Sequence, residues 1–125
     1  MTERYGEQEI LRLCGILYNK KAEDITAIHV GDRTIVADWF LIASGRNTTH
    51  VKALCDDLED QAAEIGLIAK RKEGYEQGRW IVLDFGFALV HLFHPEERAY
   101  YNMERLWDEH DNVIHYEMIK SNVEE

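Results

Sequence analysis

Apolar residues recur along this chain at two spacings, and these spacings predict its helices and strands. Between residues 6 and 20 the apolar side chains return every three or four positions, which is typical of an amphipathic helix. The same spacing returns between residues 51 and 65, after N-cap candidates at residues 47–49. Gly66 is placed to end this second helix in the left-handed conformation. Each helix carries an apolar stripe that needs another layer to pack against.

Shorter and more strongly apolar runs predict strands. Residues 25–30 form one such run, and residues 39–44 are almost continuously apolar, which is typical of a strand covered on both faces. Residues 79–85 and 87–93 form two more apolar runs. They are joined so tightly at Gly86 that a hairpin is expected.

The order of these elements predicts an α/β domain with a mixed sheet of about five strands flanked by helices. A basic run over residues 67–72 adds a short strand, and residues 97–107 add a short aromatic helix. Residues 113–119 are expected to form a final helical turn or two. The strand–helix–strand step from Phe40 through Ile68 is expected to make a right-handed parallel crossover.

Length and charge narrow the classes of function. The 125 residues fit one domain, which we predict to cover residues 1–107, with an acidic C-terminal tail over residues 108–125. The formal net charge is −10, so the surface repels phosphates on average, and direct sequence-specific binding of nucleic acid is not expected. Such a surface suits a basic partner, such as a ribosomal or other nucleic-acid-coating protein, although acidity can also serve solubility alone.

The ends of the chain and its cysteines predict a cytoplasmic protein. The first residues are acidic and lack the apolar core of a signal peptide. No apolar run approaches the length of a membrane span, so no membrane partner is expected. Cys14 and Cys55 lie within apolar helical patterns, which favours buried, reduced thiols.

The residue patterns that catalysis requires do not assemble in this sequence. Ser44 ends a strand outside a G-x-S-x-G elbow, and a glycine-rich phosphate loop is absent. His91 and His94 stand three apart on a strand and therefore face opposite sides. Asp56 and Asp57 are neighbours on a helix, where adjacent carboxylates do not converge on one ion. We therefore expect a protein that is not an enzyme and holds neither a cofactor nor a metal.

The distinctive feature that remains is a set of aromatic residues after position 79. Alternation along the strand at residues 79–85 divides its side chains between two faces. One face carries Trp80, Val82 and Asp84, and the other carries Ile81, Leu83 and Phe85. The sequence then reaches its one proline, Pro95, followed by Tyr100, Tyr101 and Trp107.

Trp and Tyr are enriched at the hot spots of protein interfaces. Phe85, Phe93 and Leu106 are expected to fill the core. For Trp80 and the tyrosines, both a buried position and an exposed contact surface stay open. We interpret this aromatic surface as a binding surface.

Several segments of the chain carry a resemblance to a known family. They are residues 21–25 (KAEDI), 37–45 (ADWFLIASG), 73–75 (EGY), 78–84 (GRWIVLD) and 91–102 (HLFHPEERAYYN), followed by Leu106 and Trp107. Together, and in this order, they resemble the ribosomal silencing factors, also called the Iojap family. The resemblance covers roughly residues 6–107, and the segment beyond Trp107 has no counterpart in it.

The resemblance implies a nucleotidyltransferase-like sheet that lacks the catalytic acids. It also implies binding to the large ribosomal subunit, on the fourteenth large-subunit ribosomal protein at the intersubunit face. A factor bound there blocks joining of the small subunit and so represses translation. Family members are often homodimers when free, so a homodimer is a further expectation.

The contact surface of the family, carried over to this chain, predicts seven partner-binding residues. They are Trp80, Ile81, Asp84, His94, Pro95, Tyr100 and Tyr101. An alternative function stays open, in which the chain is a degenerate nucleotidyltransferase that binds a nucleotide near Ser44 and Gly45.

Overall fold

The computed structural model describes residues 4–117, in which a six-stranded mixed sheet lies between two pairs of helices. The helices are α1 (Glu7–Asn19), α2 (Thr48–Glu64), α3 (Pro95–Tyr101) and α4 (Glu104–Trp107). The strands are β1 (Glu23–His29), β2 (Trp39–Ser44), β3 (Arg71–Glu73), β4 (Trp80–Asp84), β5 (Ala88–Phe93) and β6 (Val113–His115). The predicted α/β class is confirmed, with one strand more than the approximate count.

The strands lie side by side in the order β3-β4-β5-β2-β1-β6. β2 and β5 are parallel, and every other neighbouring pair is antiparallel. β3 therefore runs parallel to β2, as the predicted crossover requires, but β4 and β5 lie between them. The two strands of the predicted hairpin, β4 and β5, are joined through Gly86, whose φ of 87° is left-handed.

The signals at both ends of α2 are confirmed. The side chain of Asn47 accepts a hydrogen bond of 2.8 Å from the backbone N–H of His50, which satisfies one free donor of the first turn. Beyond the last turn, Gly66 has a φ of 87°. A residue with a side chain is strained in that conformation, so glycine suits this position.

The sheet has a larger core on one face and a smaller core on the other. The larger core joins α1 and α2 to side chains such as Leu41, Ile81 and Leu92, and it also holds the free, buried Cys14 and Cys55. The smaller core lies under α3 and α4, and its members are Ile28, Val30, Ala37, Phe40, Ile42 and Phe93. Because β2 contributes to both cores, all six of its residues are buried, as predicted.

Three elements differ from the sequence prediction. The aromatic helix expected over residues 97–107 is two short helices, since Asn102 adopts a left-handed φ of 45° that ends α3. Asparagine tolerates this conformation better than most residues. The short strand expected over residues 67–72 is shifted to Arg71–Glu73, where β3 pairs with β4.

The last difference lies near the C-terminus. Val113–His115 forms β6 rather than a helical turn, because these residues pair with Thr26, Ala27 and Ile28 of β1. Residues 118 and 119 of the predicted turn lie outside the described residues. The sheet therefore continues beyond the predicted domain boundary at residue 107. None of the helices within residues 4–117 combines the length and the apolarity that crossing a membrane would require.

Candidate interaction surface

Trp80 lies at the start of β4, on the face of the sheet that α1 and α2 do not cover. Its indole ring stacks on Phe93 at 4.9 Å between ring centroids and lies 4.7 Å from the ring of Tyr101. Its N–H donates a hydrogen bond of 3.1 Å to Nδ1 of His91. Because its polar atom is bonded inside the protein, the accessible part of this half-buried side chain is hydrocarbon.

Two tyrosines of α3 extend this aromatic surface outward. The side chains of Tyr100 and Tyr101 are 81% and 47% exposed, and their rings meet edge to face at 5.0 Å. We call Trp80, Tyr100 and Tyr101 the aromatic corner. Interfaces favour this combination, because rigid aromatic rings offer a large contact area at a small cost in conformational entropy.

The start of α3 explains why these tyrosines lie beside Trp80. His94 caps the helix, since its Nδ1 accepts a hydrogen bond of 3.2 Å from the backbone N–H of Glu96. Pro95 occupies the first helical position, where its missing N–H costs nothing. Arg79, the residue before β4, forms ion pairs with Glu96 and Glu97 at 3.0 and 2.9 Å.

A buried arginine fixes the other side of α3. The side chain of Arg98 bonds to Oε2 of Glu104 at 2.9 Å and donates to the hydroxyl oxygens of Ser44 at 3.0 Å and Thr26 at 3.3 Å. These contacts tie α3 to α4, β2 and β1. The aromatic corner is thus held by polar bonds that connect four different elements.

The structure brings five of the seven predicted contact residues together and separates two. Trp80, His94, Pro95, Tyr100 and Tyr101 lie at the start of β4 and on α3. Asp84 lies at the far end of β4 on the same face, where its Oδ1 accepts from the backbone N–H of Gly86. Ile81 points to the opposite face and is fully buried in the larger core, so its side chain does not reach this surface.

The prediction that Leu106 helps to fill the core is wrong. Phe85 and Phe93 are buried as expected, but Leu106 is 69% exposed. The reason is the break at Asn102: in the short helix that follows, Met103 and Trp107 pack against the smaller core. Leu106 then points away from the sheet.

Sequence reasoning also missed a groove at the far end of the same face. We call it the sheet groove, and it has a volume of about 290 Å³. It is lined by Val36, Arg71, Glu73, Val82, Asp84 and Leu89. The alternation along β4 indicated its floor, since Val82 and Asp84 share a face with Trp80, but only the structure places β3 and the 30–38 loop beside them.

One group of side chains resembles a metal site, yet its chemistry does not fit one. Donor atoms of Cys55, Asp56 and Glu59 lie within 4.8 Å of one another. Nζ of Lys72 lies 3.0 Å from Glu59, and the hydroxyl of Tyr75 donates to Asp56. Burial, with the nearby Glu59 carboxylate, raises the pKa of the Cys55 thiol to about 12, so the thiol stays protonated. A lysine ammonium already provides the positive charge that these carboxylates attract.

The alternative nucleotide site predicted near Ser44 and Gly45 lies beside a mainly acidic cavity. Ser44 is only 4% exposed, and its hydroxyl oxygen already accepts a hydrogen bond from Arg98. The neighbouring cavity of about 260 Å³ is lined by three acidic side chains, Glu23, Asp24 and Glu104, and by one basic side chain, Arg98. The excess of carboxylates over guanidinium in this lining disfavours phosphate groups. Nucleotide binding stays a prediction that titration calorimetry with ATP, CTP and Mg²⁺ tests.

Comparisons with known proteins agree with these observations. Residues 5–125 match the family model described as "Ribosomal silencing factor during starvation". The chain is 43% identical over 109 residues to a protein of Halalkalibacterium halodurans named "Ribosomal silencing factor RsfS", covering 86% of this chain and 93% of that protein. The match continues past residue 107, where the resemblance read from the sequence ended.

A solved structure and a more distant relative extend the comparison. The fold is similar to the X-ray structure of a protein from Chromobacterium violaceum, with a TM-score of 0.76 and 33% identity, covering 80% of this chain and 84% of that one. The chain is also 31% identical to a mouse protein named "Mitochondrial assembly of ribosomal large subunit protein 1", covering 79% of this chain and 45% of that protein.

Proposed function

The chain belongs to the ribosomal silencing factor family, and on that premise we propose that it represses translation by binding the large ribosomal subunit. The bound protein occupies the intersubunit face, on the fourteenth large-subunit ribosomal protein, and prevents the small subunit from docking. This activity belongs in the cytoplasm, where ribosomal subunits join. The name of the mouse relative, which refers to assembly of a ribosomal large subunit, supports the choice of subunit.

The observation that carries this proposal is the aromatic corner. Trp80, Tyr101 and Tyr100 form a continuous chain of ring contacts that runs from the sheet to the solvent. Trp80 is supported from below by Phe93, so its ring is already fixed before a partner arrives. A preformed aromatic anchor loses little conformational freedom on binding, which favours affinity.

Charge supports a basic partner. The formal net charge of the chain is −10, and Asp84 lies on the same face of β4 as Trp80. Carboxylates on this surface attract Lys and Arg of a ribosomal protein and accelerate association. The mechanism is steric, so it requires no catalytic group: a protein bound at a contact between subunits excludes the other subunit.

The proposal is tested with purified ribosomal subunits. Small and large subunits are mixed with and without the protein, and the joined ribosomes are measured by sucrose-gradient sedimentation. We expect the fraction of joined ribosomes to fall as the protein is added, and the protein to sediment with the large subunit. Unchanged joining at micromolar protein would overturn the proposal.

A matched pair of tyrosine substitutions assigns the surface. Tyr100→Ala removes an 81% exposed ring from the aromatic corner, whereas Tyr5→Ala removes a 74% exposed ring outside it. We expect Tyr100→Ala and Trp80→Ala to weaken capture of the large subunit and Tyr5→Ala to leave it unchanged. If all these variants capture the large subunit equally well, the aromatic corner is not part of the interface, even if the protein still blocks subunit joining.

The free protein is expected to form a homodimer, which we propose to be a separate state from the subunit complex. Sedimentation velocity of the free protein measures this directly. If the sedimentation coefficient is still that of a monomer at the highest soluble concentration, the prediction of a homodimer is wrong. The proposal on subunit joining is not affected by that result.

A further inference from the structure

We propose that this surface has a second anchoring element, at the sheet groove, which takes an apolar side chain flanked by Lys or Arg from the same ribosomal partner. The inference rests on the proposed function, because the partner is the one proposed above. It adds three residues that were not among the predicted contact residues: Ile35, Val36 and Leu106, which we call the apolar ridge.

The three members of the apolar ridge are large apolar side chains that are open to solvent. Ile35 is fully exposed, Val36 is 62% exposed and Leu106 is 69% exposed. Single exposed apolar residues are ordinary, but grouped ones mark interaction sites. Val36 also lines the sheet groove, so the loop end of the ridge borders the groove.

Arg33 fixes the loop that carries this ridge. Its Nη1 donates a hydrogen bond of 3.1 Å to the carbonyl oxygen of Leu106, and its guanidinium lies 4.9 Å from the ring centroid of Trp107. The same group pairs with Glu109 at 3.5 Å. Ile35 and Val36 therefore project from a loop that is anchored to α4 before any partner binds, and the anchor connects the two parts of the ridge.

Two apolar side chains of the sheet groove, Val82 and Leu89, lie on the face of the sheet that carries the aromatic corner. Val82 lies two residues beyond Trp80 on the same face of β4, and Leu89 pairs with Asp84 across the hairpin. The volume of about 290 Å³ lies just below the range of roughly 300–1,000 Å³ that is typical of small-molecule pockets. The groove therefore fits a single protein side chain better than a cofactor.

The charges at the groove select the occupant. Two of its three charged lining residues, Glu73 and Asp84, are acidic, and the third is Arg71. Arg33 lies outside the groove lining, and its pairing with Glu109 at 3.5 Å reduces its repulsion of a cation. An apolar side chain with neighbouring Lys or Arg complements this arrangement, because the cation is attracted to Glu73 and Asp84 and to a chain whose net charge is −10.

The test measures the dissociation constant of the full chain for purified large ribosomal subunits. The test variant carries Ile35→Ser together with Val36→Ser, and the control carries Ile68→Ser. Ile68 is 60% exposed, close to the exposure of Val36, and it lies in the connection between α2 and β3, outside the groove. Unfolding in urea confirms that each variant is folded, which is expected because all three side chains face solvent.

We expect the double variant to bind large subunits about tenfold more weakly, a typical effect for an interface anchor, and the Ile68→Ser variant to bind like wild type. Unchanged affinity in the double variant, with Trp80→Ala weakened, would overturn the second anchor and leave the proposed function standing. If wild type does not bind at all, the proposed function itself fails. If the double variant loses only self-association in sedimentation velocity, a second copy occupies the groove and the inference is wrong.

Discussion

The indole nitrogen of Trp80 lies 3.1 Å from Nδ1 of His91, so a surface side chain is hydrogen-bonded to one that is only 7% exposed. Because Nδ1 accepts this bond, the neutral ring of His91 carries its proton on Nε2. Within residues 4–117, that Nε2 is buried without a partner. The ring also lies 5.5 Å from Phe40, edge to face, so aromatic contacts hold it in position. His91 therefore fixes the orientation of Trp80.

A double-mutant cycle measures this coupling. Trp80→Phe removes the donor, His91→Phe removes the acceptor, and the double variant removes both. We expect a coupling free energy of about 1 kcal/mol in urea unfolding, the usual net contribution of one hydrogen bond. If the two single substitutions are additive, the hydrogen bond makes no contribution to stability.

The same histidine predicts a pH dependence of stability. Burial lowers the pKa of His91 from 6.5 to about 4. The unfolded chain then binds a proton here at a higher pH than the folded chain. The contribution to stability is therefore complete above pH 6.5 and is lost as the pH falls toward 4.

From His91 alone we expect the free energy of unfolding to fall by about 2 kcal/mol between pH 7 and pH 5. The His91→Phe variant, measured by urea unfolding at the same pH values, is the control, because it keeps every carboxylate and loses only this titration. Parallel pH profiles of the two proteins would contradict the prediction.

Arg98 provides a test of how the aromatic corner is held. Arg98→Ala breaks an ion pair with Glu104 and leaves hydroxyl groups of Ser44 and Thr26 without their donor. We expect a loss of about 3 kcal/mol in the free energy of unfolding, which is typical of breaking a buried pair. Arg105→Ala, on the exposed side of α4, should stay within about 0.5 kcal/mol of wild type. Equal effects of the two substitutions would show that the Arg98 contacts are not important for stability.

Two glycines with similar backbone angles separate strain from steric overlap. Gly74 and Gly66 have φ angles of 83° and 87°. A Cβ at Gly74 would overlap the carbonyl oxygen of Trp80, whereas a Cβ at Gly66 would meet no atom within 4 Å. We expect Gly66→Ala to cost about 1 kcal/mol, for the left-handed conformation alone, and Gly74→Ala to cost roughly 3 kcal/mol in thermal or urea unfolding. If the two substitutions lower the free energy of unfolding equally, the backbone at Trp80 can move to accommodate the added Cβ without loss of stability.

Electrostatic attraction to the ribosome predicts a salt-dependent association rate. We expect the rate constant for binding large subunits to fall several-fold when salt rises from about 0.05 to about 0.3 M, because the Debye length shortens. Asp84→Asn, at the sheet groove, should lower the rate constant in stopped-flow measurements. Asp60→Asn makes the same charge change on the exposed side of α2 and should have a smaller effect. Equal effects of these two substitutions would indicate a general effect of net charge rather than a contact at the groove.

Local patterns in the sequence determined most of the elements and one face of the site. Alternation along β4 correctly separated Trp80, Val82 and Asp84 from the buried Ile81 and Leu83. The helix cap at Asn47 and the left-handed conformation of Gly66 were also predictable from the sequence. Such features depend on residues only a few positions apart, and their chemistry is visible in the sequence.

The tertiary structure alone decided which side chains meet and which are left open. The bond between Trp80 and His91 joins different strands, and β6 pairs with a strand that lies far away along the chain. The exposure of Leu106 depends on the break at Asn102, and the apolar ridge depends on Arg33 reaching α4. The periodicity of apolar residues indicates which side of a helix or strand is buried, but it does not indicate which other element packs against that side. For this protein the sequence determined the family and the scaffold, whereas long-range packing determined the shape of the surface.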